Sequence, residues 1–195
     1  MLLHSMVPGV VKKIKKTLAT VGILHPALGV KIGGEAKAAL ILKYKKPDVR
    51  VFVETGTEYG AMIDRVGSRF EHIYTVEYDE GFYKQAIEHF KGKDHIEIFK
   101  GDSGDVIQTV LGKFDEPALI WLDAHGPGAM SLERPLHCPV ERELKAIFKH
   151  PHAHTILIDD ARHFDRRSIR TIRLMAKTSG YTCDIEDGVF ILKHT

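Results

Sequence analysis

Residues 49–60 read VRVFVETGTEYG and contain the change of pattern that decides the fold. Apart from Arg50, the first five residues are β-branched or aromatic, which is typical of a short strand. Gly56 and Gly60 follow directly, so the strand is expected to run into a glycine-containing turn. Residues 61–70 then carry a helical pattern. A strand, a glycine turn and a helix in this order begin an α/β unit.

The same alternation continues to the end of the chain. Strands are predicted at 49–53, 72–77, 95–99, 118–122 and 155–158, and helices at 61–70, 80–90, 105–111, 140–149 and 166–178. Residues 181–185 and 189–192 flank a glycine-containing turn and predict a β-hairpin. This order predicts a doubly wound, Rossmann-like α/β sheet that is mostly parallel and ends in a C-terminal antiparallel hairpin.

The first 46 residues read as helical, without a strand signal. Val11, Ile14 and Leu18 lie at helical spacing opposite several lysines, and a second helix is predicted over 35–46. We therefore expect an N-terminal helical extension over 1–46 and one α/β domain over 47–195. A chain of 195 residues is long enough for one such domain.

The composition restricts the class of protein and the kind of partner that we expect. Hydrophobic residues make up 44% and charged residues 28% of the chain, and no apolar run is long enough to span a membrane. The apolar start is too short for a secretory signal, so a cytoplasmic protein is expected. The net charge of +2 does not favour a nucleic-acid partner. We expect a small-molecule substrate, and the oligomeric state stays open between monomer and homo-oligomer.

Acidic side chains follow four of the five predicted parallel strands. Glu54, Glu77 and Asp123 end three of them, and Asp159 and Asp160 end the fifth. A carboxylate at the end of an apolar strand is poorly solvated, which is costly unless it binds something. Ligands of open α/β sheets bind at this carboxyl edge. Helix capping explains any single one of these acids, but their recurrence predicts a ligand site.

The glycine turn distinguishes between cofactors. A dinucleotide fingerprint starting at Gly56 needs a glycine where Glu58 stands and another near Ala61, and no P-loop is present. The pattern is instead E-x-G-x-x-x-G, formed by Glu54, Gly56 and Gly60. It resembles the first motif of class I S-adenosylmethionine-dependent methyltransferases. A plain tight turn with a capping glutamate is the alternative.

The resemblance covers residues 49–195 and implies a set of cofactor contacts. The turn bends around the methionine part of the cofactor, and Glu77 accepts hydrogen bonds from the ribose hydroxyls. The turn over 101–104 matches the adenine-binding position, where either Asp102 or Ser103 meets the adenine amino edge. The implied cofactor-binding residues are Glu54, Thr55, Gly56, Thr57, Gly60, Glu77, Asp102, Ser103 and Asp123.

Two groups within this class are most similar to the chain: the catechol-type O-methyltransferases and the FkbM or macrocin-type sugar O-methyltransferases. The segments that resemble the second group are FVETGT (52–57), IYTVE (73–77), GDSG (101–104), WLDAH (121–125) and LIDDAR (157–162). The resemblance implies O-methylation of a small hydroxylated, sugar-like acceptor. A non-catalytic binding module with the same fold is the alternative, and a nicotinamide-dependent oxidoreductase is less favoured.

A metal site is also expected. Asp123, Asp159 and Asp160 end neighbouring strands, and three carboxylates suit Mg²⁺. In both resembled groups, acids at these strand ends hold magnesium, which activates the acceptor hydroxyl. The alternative is that Asp159 or Asp160 only caps the next helix.

The sequence also offers candidates for the catalytic base. The catechol-type enzymes place a lysine base where this chain has Gly126, so His125 or His163 is the candidate base beside Asp123. Residues 126–135 resemble a substrate loop, and Arg134, His137 and Arg162 are candidate acceptor contacts. The histidine-rich tract over 150–154 lies before the fifth strand and is expected to be a solvated loop.

Overall fold

A computed structural model describes residues 32–124 and 138–195 of the chain. The strands are β1 (Val51–Thr55), β2 (His72–Glu77), β3 (Ile96–Lys100), β4 (Ala118–Leu122), β5 (Thr155–Ile158), β6 (Tyr181–Glu186) and β7 (Val189–His194). The helices are α1 (Gly34–Tyr44), α2 (Ala61–Val66), α3 (Glu80–His89), α4 (Ser103–Leu111), α5 (Val140–Ile147) and α6 (Arg166–Thr178), with 3₁₀ turns at Gly67–Arg69 and Ala161–His163.

All seven strands form one sheet in the order β3-β2-β1-β4-β5-β7-β6. The first five strands pair in parallel, and the hairpin joins antiparallel through β7, which lies between β5 and β6. The predicted fold class is therefore confirmed. The strand order reverses between β1 and β4, and at such a switch point the loops diverge and open a crevice at the carboxyl edge.

Helices cover both faces of the sheet. One core contains Val53 of β1 together with apolar residues of α4, α5 and α6, for example Leu144. The other contains Phe52 of β1, Trp121 of β4 and residues of α1, α2 and α3. Neighbouring residues of β1 thus face opposite cores. Strands β1, β4 and β5 are buried along their whole length, as expected for the centre of a two-sided parallel sheet.

Helix α1 belongs to this packing, although the sequence predicted it as part of an extension. Ala38, Leu40 and Ile41 are buried in the second core. At the end of the helix, Lys43 and Tyr44 each donate to the Glu186 carboxylate of the hairpin over 2.6 Å. The other helix predicted in the extension, around Val11, lies outside the described residues. The boundary between 46 and 47 stays a prediction.

Across residues 32–124 and 138–195, none of the helices has the length and apolar character needed to cross a membrane.

The histidine-rich tract lies at the amino edge of the sheet, as predicted, but His154 is not solvated. Its ring Nδ1 accepts the backbone N–H of Ala118 at 3.0 Å, and its ring Nε2 lies 3.0 Å from His150. The backbone N–H of His154 donates to the Tyr181 hydroxyl. Burial, with the nearby His150 and His152, lowers the pKa of His154 to about 3. This histidine is a neutral structural residue that holds the start of β4.

We expect His154 to make the protein sensitive to mild acid. The unfolded chain binds a proton below pH 6.5 and the folded chain does not until about pH 3, so stability falls as pH drops through this range. Between pH 7 and pH 5 the wild-type free energy of unfolding should fall by roughly 2 kcal/mol from this group. His154→Asn keeps an acceptor for the Ala118 N–H, and its free energy of unfolding should not show this decrease. Urea unfolding at both pH values measures the difference.

His152→Asn is the matched control, because His152 is more exposed and pairs with Asp115 at the surface. An equal decrease of the free energy of unfolding in wild type and His154→Asn between pH 7 and pH 5 would contradict this account.

Candidate active site

The turn after β1 brings the chain against the end of β4. Gly56 has φ +86°, and a Cβ at this position would lie 2.8 Å from the carbonyl oxygen of Asp123. Gly60 has φ +71°, and a Cβ there would lie 2.5 Å from the ring of Phe90. Both positions therefore require glycine for conformation and for space. The predicted E-x-G-x-x-x-G motif is a tight turn at the switch point of the sheet.

A chain of polar side chains lies beneath this turn. The Thr75 hydroxyl is 3.0 Å from Oε2 of Glu54, to which it donates, and 2.6 Å from the hydroxyl of Thr57. Glu54 is only 2% exposed, and burial raises its pKa well above the ordinary value, with the charges of Asp123 and Glu77 adding to the rise. Ionising this group is costly unless a positive charge is nearby.

Glu77 is held in one orientation by the backbone. Its Oε2 accepts the N–H of Glu58 at 2.8 Å, and its Oε1 accepts the N–H of Asp79 at 2.7 Å. An ionised carboxylate offers about four acceptor sites, so each oxygen retains capacity for another donor. Glu77 can therefore accept hydrogen bonds from ligand hydroxyls without rearrangement.

The turn after β3 uses Asp102 structurally. Its Oδ1 accepts the N–H of Gly104 and caps α4, and both of its carboxylate oxygens accept from Arg142 at 2.8 and 2.9 Å. Ser103 is 4% exposed and faces the interior. The choice between Asp102 and Ser103 for an adenine contact stays a prediction.

Glu143 is a site residue that the sequence reasoning missed. It is fully buried on α5, and burial raises the pKa of its carboxyl to about 7, a rise that Ser103 and Thr55 partly oppose. Within the described ranges, the Glu143 oxygens and the Thr55 and Ser103 hydroxyls lack a hydrogen-bond partner of good geometry. The available signal was its spacing, since Val140, Leu144 and Glu143 share one helical face.

Asp123 and Asp159 stand at equivalent positions beyond β4 and β5. The strand ladder continues one residue further, because Asp123 donates its N–H to Thr55 and Asp159 donates to Leu122, at 3.0 and 3.1 Å. In adjacent parallel strands, equivalent positions point to the same face. The two carboxylates therefore come together, as the sequence predicted.

A lysine lies beside these two carboxylates. Nζ of Lys37, from α1, donates to Oδ2 of Asp159 and is 3.9 Å from Oδ2 of Asp123. Burial and the charge of Asp159 raise the pKa of Asp123 to about 8, while Lys37 opposes the rise. Despite its own burial, which acts in the opposite direction, Lys37 has a raised pKa because of these acids. The site therefore already contains a cation.

Asp160 does not join the other two acids. It has φ +48°, and its carboxylate lies 2.7 Å from Arg162 and 3.5 Å from His163. The structure thus brings together two of the three predicted metal ligands. In the ranges 32–124 and 138–195, no group of three or more His, Cys, Asp or Glu side chains is placed to hold a metal ion. These residues do not fit the predicted Mg²⁺ site.

Several predicted residues lie outside the described part of the chain. They are the candidate base His125, the loop over 126–135 with Arg134, and His137. Their roles stay predictions. Of the candidate acceptor contacts and bases, the structure describes Arg162 and His163, which lie together at the carboxyl end of β5 with Nε of Arg162 donating to the His163 ring over 3.1 Å.

The chain shares its fold with several solved methyltransferase structures. The amino pentose methyltransferase CalS10 from Micromonospora echinaspora, solved with S-adenosylmethionine, is 12% identical with a TM-score of 0.58, over 84% of this chain and 92% of that one. An O-methyltransferase from Bacillus cereus, in complex with S-adenosylhomocysteine, is 14% identical with a TM-score of 0.55, over 97% and 92%.

A third neighbour is the O-methyltransferase TomG from Streptomyces achromogenes, involved in tomaymycin synthesis and solved with S-adenosylmethionine. It is 15% identical with a TM-score of 0.54, over all of this chain and 92% of that one. The sequence matches no protein-family model and no curated protein sequence significantly. At these identities the likeness establishes the fold, while the FkbM or macrocin-type assignment stays a prediction.

Replacing Glu143 by Gln should stabilise the protein at alkaline pH. The pKa of its carboxyl is about 7 when folded against 4.5 as the ordinary value, so the folded chain loses stability as pH rises through this interval. At pH 8 the variant should exceed the wild type by roughly 3 kcal/mol in the free energy of unfolding, and at pH 5 by much less. Denaturant unfolding at both pH values measures this difference.

Glu141→Gln on the exposed face of α5 is the control and should show no such pH-dependent gain. An equal difference between Glu143→Gln and wild type at pH 5 and pH 8 would refute the assigned cause.

Proposed function

We propose that this chain is an S-adenosylmethionine-dependent methyltransferase that methylates a hydroxyl oxygen of a small, sugar-like acceptor. The observation that carries the proposal is the glycine turn packed on Asp123 at the switch point, with buried Glu54 and oriented Glu77 beside it. Solved structures of this fold with the cofactor or its product bound support the same cofactor.

The charges of the site suit a cationic ligand that also carries hydroxyls. S-adenosylmethionine supplies a methyl group on a positively charged sulfur, together with a ribose and an adenine. Burial and mutual repulsion raise the pKa values of Glu54 and Asp123, so a nearby positive charge is favoured. Glu77 retains acceptor capacity for ribose hydroxyls. The same acids would disfavour an anionic dinucleotide.

Asp123 is the described residue best placed to act on an acceptor hydroxyl. Its side chain is 33% exposed, against 2% for Asp159, so it is the more accessible of the two acids. A bound S-adenosylmethionine would supply the methyl group to the acceptor oxygen with loss of its carbon–sulfur bond, and the hydroxyl proton would need a base. Asp123 can accept that hydrogen bond or proton, and His125 stays the other candidate base.

Two observations support a sugar-like acceptor. CalS10 is an amino pentose methyltransferase, and Arg162, at the carboxyl end of β5, has N–H groups that could donate to ring or hydroxyl oxygens. The predicted assistance by Mg²⁺ has no equivalent support, because Lys37 and Arg162 already engage the expected ligands.

Isothermal titration calorimetry with S-adenosylmethionine and S-adenosylhomocysteine tests the cofactor assignment. Wild-type protein should bind both, and Glu77→Gln should bind at least tenfold more weakly because it loses a charged acceptor for the ribose hydroxyls. Glu80→Gln is the control, since Glu80 is exposed on the next helix. Absence of binding of either ligand at millimolar concentration would end the proposal. Binding without transfer to any hydroxylated acceptor would favour the non-catalytic binding module.

The preference for the charged cofactor should depend on pH. Because the pKa of Asp123 is raised to about 8, Asp123 gains its negative charge as pH rises through that value. The affinity for S-adenosylmethionine relative to S-adenosylhomocysteine should therefore increase several-fold between pH 6.5 and pH 9. The amino and carboxylate groups are common to both ligands, so this ratio isolates the sulfonium charge.

Asp123→Asn should make the ratio of the two affinities independent of pH. A ratio that is already independent of pH in wild type would exclude an effect of Asp123 on the preference for the charged cofactor.

A further inference from the structure

We infer that the ammonium group of Lys37 is the resident cation of the acceptor side of this site, where it positions the Asp123 and Asp159 carboxylates in place of a divalent metal ion. The role of Lys37 in catalysis rests on the proposed function. Its geometry is observed in residues of this chain alone.

The first support is the placement of the ammonium group. Nζ of Lys37 donates to Oδ2 of Asp159, lies 3.9 Å from Oδ2 of Asp123, and is 5.9 Å from the centre of the Trp121 ring. The Lys37 side chain is 14% exposed and that of Asp159 is 2% exposed. A lysine loses much hydration on burial, so it needs acidic partners, and Asp159 in direct contact, Asp123 at 3.9 Å and an aromatic ring surround this one.

The second support is that α1 holds Lys37 at this place. Ala38 and Ile41 are buried in the core, and Ile41 is one helical turn from Lys37. Glu35 pairs with Arg65 over 2.8 Å, and the far end of the helix is tied to Glu186 of the hairpin. The lysine backbone is therefore anchored on both sides, which makes its side chain a fixed part of the site.

The third support is that a metal ion and this ammonium group exclude each other. A divalent ion bound by Asp123 and Asp159 would sit against the Lys37 ammonium, and like charges at contact distance repel strongly in a buried site. Asp160, the third ligand that a metal would need, is engaged by Arg162 at 2.7 Å. The charge of the acidic pair is thus partly balanced from within the chain.

The consequence for the proposed reaction is a positioning role. The Lys37 ammonium donates a hydrogen bond to Asp159 and lies 3.9 Å from the Asp123 carboxylate, so one cation faces both carboxylates, as a metal ion would. Asp159, nearly fully buried, anchors the lysine, and the more exposed Asp123 lies beside this pair. Lys37 acts through Asp123, and it balances the charge of the acidic pair whether or not an acceptor is present.

Binding of Mn²⁺, measured by electron paramagnetic resonance and by thermal shift, tests this inference on the full chain. Wild type should bind no Mn²⁺ at the strand ends at millimolar concentration. Lys37→Ala removes the ammonium and exposes the dicarboxylate, so it should gain one Mn²⁺ site and a higher melting temperature with Mn²⁺. That gain should disappear in Lys37→Ala combined with Asp159→Asn.

Two variants complete the design. Lys37→Arg keeps the positive charge and should bind no Mn²⁺, like the wild type. Lys46→Ala removes an exposed lysine just beyond the same helix and should leave Mn²⁺ binding unchanged. A merely structural role for Lys37 would lower stability in Lys37→Ala without creating a metal site.

Two results would overturn the inference. One is a single Mn²⁺ bound by wild type and lost in Asp159→Asn. The other is a folded Lys37→Ala protein that binds no Mn²⁺. If Lys37→Ala does not fold, Mn²⁺ binding by wild type and by Asp159→Asn tests the inference. Calorimetry with S-adenosylmethionine on the same preparations separates failure of this inference from failure of the proposed function, because cofactor binding and Mn²⁺ binding are read independently.

Discussion

The close approach of Gly56 to the backbone of Asp123 is the contact on which the site depends. It joins the turn after β1 to the end of β4, the two strands between which the sheet order reverses. Any side chain at residue 56 would meet the Asp123 carbonyl, and its positive φ is also unfavourable for residues other than glycine. Because the turn packs this closely against the sheet, Glu77 and Asp123 can line the carboxyl edge.

Parallel register then determines the electrostatics. Glu54, Asp123 and Asp159 point to the same face of three adjacent strands, so their negative charges accumulate in a region with little water. The protein offsets this cost differently at each position. Glu54 has a raised pKa and a hydroxyl donor, whereas Asp159 has the ammonium group of Lys37. A site of this kind favours cations, whether they come from the chain or from a ligand.

For α1, the sequence predicted the helix but not its contacts. Its helical pattern was visible, but nothing in the spacing of 35–46 indicated that Lys37 would reach Asp159, 122 positions later. The lysine that the catechol-type pattern has near residue 126 was found missing from the sequence. A lysine does occupy the carboxyl edge, and it comes from α1, before the first strand. Glu143 escaped notice for a related reason, because a single acid on an apolar helix face gives no indication of its neighbours.

The sequence alone determined the alternation of strands and helices, the C-terminal hairpin, the glycine turn and the acids at the strand ends. These features are local, since they follow from side-chain periodicity, β-branching and the conformational freedom of glycine. Only the tertiary structure decided the strand order, the turning of Asp160 towards Arg162, the burial of His154 and the pairing of Lys37 with Asp159. Each of these depends on which distant segments pack together, and the packing of α1 on the sheet is what brings a cation to the acidic edge.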